Sequence, residues 1–132
     1  MRNIIISCLT ITALLIILLS SFTQNMYSED DCAILHKGTF KYGNTTEDVK
    51  VVIDENHHTE YYNGGKYIIQ SDLTWVNSCE YNITMIKITI PDFPYKVGDI
   101  MNVKINKIEK NEIFYTSTVK GQSWSGKLIK IK

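Results

Sequence analysis

Beyond residue 37, polar and apolar side chains alternate in short runs along most of the chain. Residues 49–53 put Val49, Val51 and Ile53 on one face. Residues 66–76 put Tyr67, Ile69, Leu73 and Trp75 on one face, against Lys66, Gln70, Asp72 and Thr74, with Ile68 and Val76 as exceptions. The same alternation runs through Met101, Val103 and Ile105 in 99–108, and through Ile113, Tyr115, Ser117 and Val119 in 112–119. A period of two is that of a β-strand with one buried face. Further strands are expected over 37–42, 57–62, 80–90 and 123–131, about eight in all. Gly43-Asn44, Asp54-Glu55-Asn56, Asn63-Gly64-Gly65, Asn77-Ser78, Lys110-Asn111 and Lys120-Gly121-Gln122 punctuate them as turns. Within 80–90 the apolar phase changes, from Tyr81, Ile83 and Met85 to Ile86, Ile88 and Ile90, which predicts a bulge. Pro91 and Pro94 end that strand and leave 91–98 as the longest loop. Short, regularly spaced strands without an amphipathic helix predict an all-β fold: a small antiparallel up-and-down barrel or a half-open sandwich.

Residues 1–36 break this pattern. Met1-Arg2-Asn3 gives a short basic start, residues 4–19 are almost wholly apolar, and Ser21-Phe22-Thr23 offers a small–x–small cleavage site. This reads as a signal peptide over 1–23. The alternative is an uncleaved anchor over 4–22, about as long as the ~18–20 residues a bilayer requires. Ile5-Ile6-Ser7-Cys8 looks like a lipid-attachment box, but too short an apolar run precedes Cys8 for that use. Residues 24–36 form a polar leader, with a brief helical turn near Cys32-Ala33-Ile34-Leu35, and 37–132 form the β domain. The expected location is periplasmic or secreted, with membrane contact only in transit.

Charge narrows the partners. The chain carries 14 basic and 14 acidic residues, and its one arginine, Arg2, lies in the signal segment. A near-neutral domain without arginine has no electrostatic footprint for nucleic acid. Once Cys8 leaves with the signal, Cys32 and Cys79 remain, and an even pair in an oxidising compartment reads as one disulfide. Two free buried thiols are the alternative. Without a Cys-x-x-Cys motif, redox catalysis is not expected.

Candidate chemistry is sparse. His57-His58 invites a metal, yet neighbours in a strand face opposite sides and cannot chelate together; an exposed strand start is expected, with no metal. Asp54, Glu60, Asp72, Glu80 and Asp99 show no pairing at hydrolytic spacing, and most are expected to face solvent. There is no Gly-x-Ser-x-Gly elbow, no phosphate-binding glycine loop and no His-Glu-x-x-His run. No enzyme and no cofactor are expected. Aromatic residues are numerous, and most should fill the core. Phe93 and Tyr95 in the proline loop, with Trp75 and Trp124, are the candidate contacts for a ligand or partner.

Gly38-Thr39-Phe40, opening a run of up-and-down strands, resembles the first strand of lipocalin-type small barrels. His58-Thr59-Glu60-Tyr61, Lys66-Tyr67-Ile68-Ile69, Leu73-Thr74-Trp75-Val76-Asn77-Ser78-Cys79-Glu80-Tyr81 and Gly126-Lys127-Leu128-Ile129-Lys130 resemble small exported uncharacterised proteins of the Bacteroidota. That likeness spans most of the chain after the signal. It implies a lipocalin-like fold and export, and brings no established activity. The functional expectation is an exported, non-enzymatic β-barrel binding module that holds a small apolar ligand in its mouth. The alternative is a surface-acting interaction or inhibitor module with no internal cavity, working through the 91–98 loop.

Overall fold

A computed structural model describes residues 32–43 and 45–132. The signal expected over 1–23, the anchor considered over 4–22 and most of the leader lie outside the described residues. The described chain opens on a single helical turn, α1 (Ala33–His36). Eight strands follow: β1 (Gly38–Tyr42), β2 (Val49–Asp54), β3 (His57–Tyr62), β4 (Tyr67–Asn77), β5 (Glu80–Ile88), β6 (Ile100–Glu109), β7 (Glu112–Val119) and β8 (Gln122–Lys130). Each strand pairs antiparallel with the next, and β8 returns to β1 through Phe40↔Lys130 and Tyr42↔Leu128. Of the two architectures open to the sequence, the closed barrel is therefore the one formed. Closure leaves no sheet edge to template pairing with another chain.

Local chemistry sets the register. In β7 the inward residues Ile113, Tyr115, Ser117 and Val119 are all buried and their neighbours are not. Lys120 and Gly121 both take positive φ, 49° and 78°, the two-residue turn whose twist matches a hairpin. Between β4 and β5, Gln70 faces Lys87 and Ser71 faces Met85, so Ile86 is the extra residue of a bulge. The bulge turns Ile86 outward and keeps Tyr81, Ile83 and Met85 inside.

Alternating strand direction gives the barrel two unlike ends. At the base, α1 lies across the opening with Leu35 fully buried. The Cys32–Cys79 disulfide joins α1 to the β4–β5 turn. The His36 ring sits 3.9 Å from the Trp75 ring, and its Nε2 donates to the Ser78 carbonyl at 2.8 Å. Lys130 Nζ donates to the carbonyls of Ile34 and Lys37, both at 2.8 Å, which satisfies acceptors that a short helix leaves open. Above α1, Phe40, Val51, Ile53, Leu73, Tyr81 and Ile113 fill the lower barrel as one core. The other end carries the long β5–β6 connection. No described helix is long and apolar enough to cross a membrane.

Candidate functional site

Above that core the inward positions change character. Tyr42 of β1, Glu60 and Tyr62 of β3, Ile83 and Met85 of β5, Met101 of β6, Tyr115 and Ser117 of β7, and Trp124 of β8 surround a cavity of about 210 Å³. A deeper void of about 20 Å³ continues below it past His58, Glu60 and Tyr81, room for about one water-sized group. Two grooves flank the mouth. One of about 570 Å³ is bounded by Glu47, Asp48, Tyr62, Tyr67 and Phe93, and one of about 260 Å³ by Glu47, Tyr42, Trp124 and Lys127. The first is the largest hollow described, but it is a rim groove; the buried polar groups face the inner cavity.

The β5–β6 loop roofs the mouth with aromatic rings. Phe93 meets Tyr95 edge-on at 5.6 Å, and Tyr95 stacks on Trp124 at 6.3 Å, 10° from parallel. Such geometries follow the ring quadrupoles. The base of the loop is fixed where the Gly98 N–H donates to the Met85 carbonyl at 2.8 Å and Asp99 pairs with Lys120 at 2.8 Å. Asp99 also accepts from the Lys96 N–H at 2.9 Å. The Lys120 hydrogen bond, followed by that N–H, holds the Asp99 carboxyl below the usual carboxylate range.

Glu60 is the polar centre of the mouth. Its side chain is 10% exposed. Oε2 accepts a hydrogen bond from the Tyr62 hydroxyl at 2.6 Å. Oε1 lies 3.8 Å from His58 Nδ1, beyond hydrogen-bond reach. Among the described residues, His58 Nδ1 and Ser71 Oγ are buried without a hydrogen-bond partner. Burial pulls the His58 imidazole below its ordinary value, outweighing the opposing pull of Glu60, so the ring is neutral at neutral pH. Burial pushes the hydroxyls of Tyr42, Tyr62, Tyr81 and Tyr115 up, and the charge of Glu60 adds in the same sense at each. All four remain protonated, and the hydroxyls of Tyr62 and Tyr42 hydrogen-bond to Glu60.

One glycine shapes this space. Gly126 faces Tyr115 across the β7–β8 pair, and a Cβ at that position would overlap the Tyr115 ring. Gly126→Ala is expected to displace the ring, at a cost of about 1–2 kcal/mol in stability. Urea unfolding measures the loss, and the near-ultraviolet tyrosine signal reports the moved ring. Unchanged values for both would show that Tyr115 does not depend on the glycine.

The structure brings Phe93, Tyr95 and Trp124 together at the mouth. Trp75 stands apart: it lies near the end of β4 that reaches the base, against His36 and 5.0 Å from the ring of Tyr81. Of the adjacent histidines, His57 is the exposed strand start, with Nδ1 3.2 Å from Asp54. His58 departs from that expectation and points into the barrel, as its opposite parity requires. Of the carboxylates, Asp54 and Asp72 are exposed and Glu80 and Asp99 half-buried. Glu60 is the exception among the five, most of which are expected to face solvent: it is buried because it pairs with inward Val51 in the β2–β3 ladder. Tyr42, His58, Glu60, Tyr62 and Tyr115 are thus mouth residues that the aromatic-loop reasoning did not single out. Among the described residues, no group of three or more His, Cys, Asp or Glu side chains is placed to hold a metal ion. No family model, curated protein or solved structure matches the chain.

Proposed function

We propose that this protein is an exported, non-enzymatic binding module that holds a small, largely apolar ligand in the barrel mouth. The asymmetry of the barrel carries the reading: its base is filled and covered by α1, while its mouth is hollow beneath an aromatic roof. Ile69, Ile83, Met85 and Met101 supply apolar wall between the aromatic rings. The volume of about 210 Å³ is below the ~300–1,000 Å³ of pockets for drug-sized ligands, so the ligand is compact. The Cys32–Cys79 disulfide belongs with an oxidising compartment and agrees with export by the signal-like segment. Kinship with the small exported Bacteroidota proteins, and with lipocalin-type barrels, is part of the same proposal.

A protein-docking or inhibitor surface on the 91–98 loop is the second reading. Val97 and Ile100 favour it, being 63% and 56% exposed beside the roof. It requires no cavity, and the cavity ranks it second.

Native mass spectra of the protein exported by a bacterial host, purified without reductant, test both. The expected species begins at Gln24, is lighter by two hydrogens and carries an extra non-covalent mass. A bare chain showing no thermal shift with apolar probes would leave only the surface reading. The two tryptophans locate any ligand, because Trp124 is at the mouth and Trp75 at the base. Ligand quenching should vanish in Trp124→Phe and persist in Trp75→Phe; the reverse would move the site to the base.

A further inference from the structure

We propose that the ligand is a compact organic cation, an aryl- or alkyl-amine, whose charged nitrogen sits against Glu60 and whose apolar body lies beneath Phe93, Tyr95 and Trp124. This rests on the binding-module reading above and adds the chemistry of the ligand.

The first argument is the unfilled capacity of Glu60. A carboxylate offers about four acceptor positions; the Tyr62 hydroxyl fills one at 2.6 Å and the Tyr42 hydroxyl also hydrogen-bonds to this group, which leaves about two open. Among the described residues, the only basic group within 4.0 Å is His58, which is neutral and out of hydrogen-bond reach. A carboxylate this buried is costly without a compensating charge. Second, His58 Nδ1 is buried, unpartnered and beside the same void. An ammonium brings three donors and no acceptor, which matches the acceptor positions left on the carboxylate and, in the tautomer with its proton on Nε2, the Nδ1 lone pair of the neutral imidazole. An anionic ligand would meet Glu60 with like charge, and a neutral hydrocarbon would leave it as it is.

The surroundings agree. Tyr42, Tyr62 and Tyr115 line the cavity around Glu60, and aromatic faces attract desolvated cations. Glu47 borders both outer grooves and Asp48 the larger one. Lys127, which lines the smaller groove, is held by Glu112 at 2.9 Å, and Lys120, at the same end of the barrel, by Asp99 at 2.8 Å. A mouth edged by carboxylates raises the local concentration of cations. The inner cavity holds the equivalent of roughly seven waters at about 30 Å³ each, which suits one ring and a short aminoalkyl arm.

Three probes with the same ring and different heads test this by calorimetry on the disulfide-bonded chain: phenethylamine, 2-phenylethanol and 3-phenylpropionate. The amine is expected to bind about ten- to a hundredfold tighter than the alcohol, as hydrogen bonds to a charged group do, with the propionate weakest. Glu60→Gln, which keeps the size of the side chain and an acceptor for Tyr62, should remove the amine's advantage over the alcohol, with both ligands measured on the variant. Equal binding of amine and alcohol, or an amine advantage that survives Glu60→Gln, overturns the cation while leaving the ligand site in place. If the alcohol binds and quenches Trp124 while the amine does not bind, the inference fails alone. If none of the three quenches Trp124, the mouth as a site for such ligands fails with it. The wild-type series needs no variant to fold, and circular dichroism checks Glu60→Gln separately.

Discussion

Serine in place of both Cys32 and Cys79 is expected to lower the unfolding free energy by about 3–4 kcal/mol and the melting temperature by roughly 12–25 °C. The bridge spans 47 residues, from α1 over four strands to the β4–β5 turn. Without it the unfolded chain regains the entropy of that closed loop. The folded chain also loses the covalent hold on α1, and a helix of four residues has no stability of its own. What remains at the base is Leu35, the His36 contacts with Trp75 and Ser78, and the two hydrogen bonds from Lys130. Urea titration should show a lower midpoint and a steeper slope, since an uncrosslinked denatured state exposes more surface. Amide exchange should quicken in α1 before it does in β2 or β7. A loss under about 1 kcal/mol would mean that packing alone holds the base and that the loop-entropy account overstates the bridge.

Much of the barrel was legible because strand alternation is a local signal and the turns carry their own chemistry. Asn63-Gly64-Gly65 does take three consecutive positive φ values, and the phase change in 80–90 does mark the bulge at Ile86. Closure was less legible: the pairing of Phe40 with Lys130 joins opposite ends of the domain, and nothing in either segment names the other. The mouth shows a different limit. His58, Glu60 and Tyr62 share a parity in β3, and polar residues at alternating positions read as the wet face. The decisive signal was across the turn. Asp54 and His57 bracket a short hairpin, and its register sets Ile53, Val51 and Val49 opposite His58, Glu60 and Tyr62. Cross-strand partners lie on the same face of a sheet, so the buried valines bring the glutamate inside. That Trp75 lies at the base, apart from Phe93, Tyr95 and Trp124, was hidden for the converse reason. Its inward parity was readable, but which end of the barrel it reaches depends on the direction of β4.

Acid is expected to destabilise the fold well above the range where carboxylates titrate, and His58 is the cause. It is 3% exposed, faces the carboxylate of Glu60 from its own strand at 3.8 Å, and has the Tyr81 ring of β5 centred 6.5 Å away. Burial lowers its folded-state value from 6.5, with Glu60 opposing but not cancelling the shift. The unfolded chain therefore binds a proton that the folded chain refuses. Above the unfolded-state value both forms are neutral and His58 makes no difference. As pH falls below about 6.5, stability declines by about 1.4 kcal/mol per unit until the folded-state value is reached. Asp54 and Asp99 are held low, by the Asn56 N–H foremost and by Lys120 respectively, so their contribution is lost only at more acid pH. Urea unfolding in steps from pH 7.5 to 4.5 measures the slope. In His58→Gln the decline between pH 6.5 and 4.5 should flatten, while an equal slope in both proteins would assign it elsewhere. The same proton bears on the proposed ligand. A charged imidazole beside Glu60 competes with an ammonium for the carboxylate, so phenethylamine should weaken as acid protonates His58, and 2-phenylethanol should not.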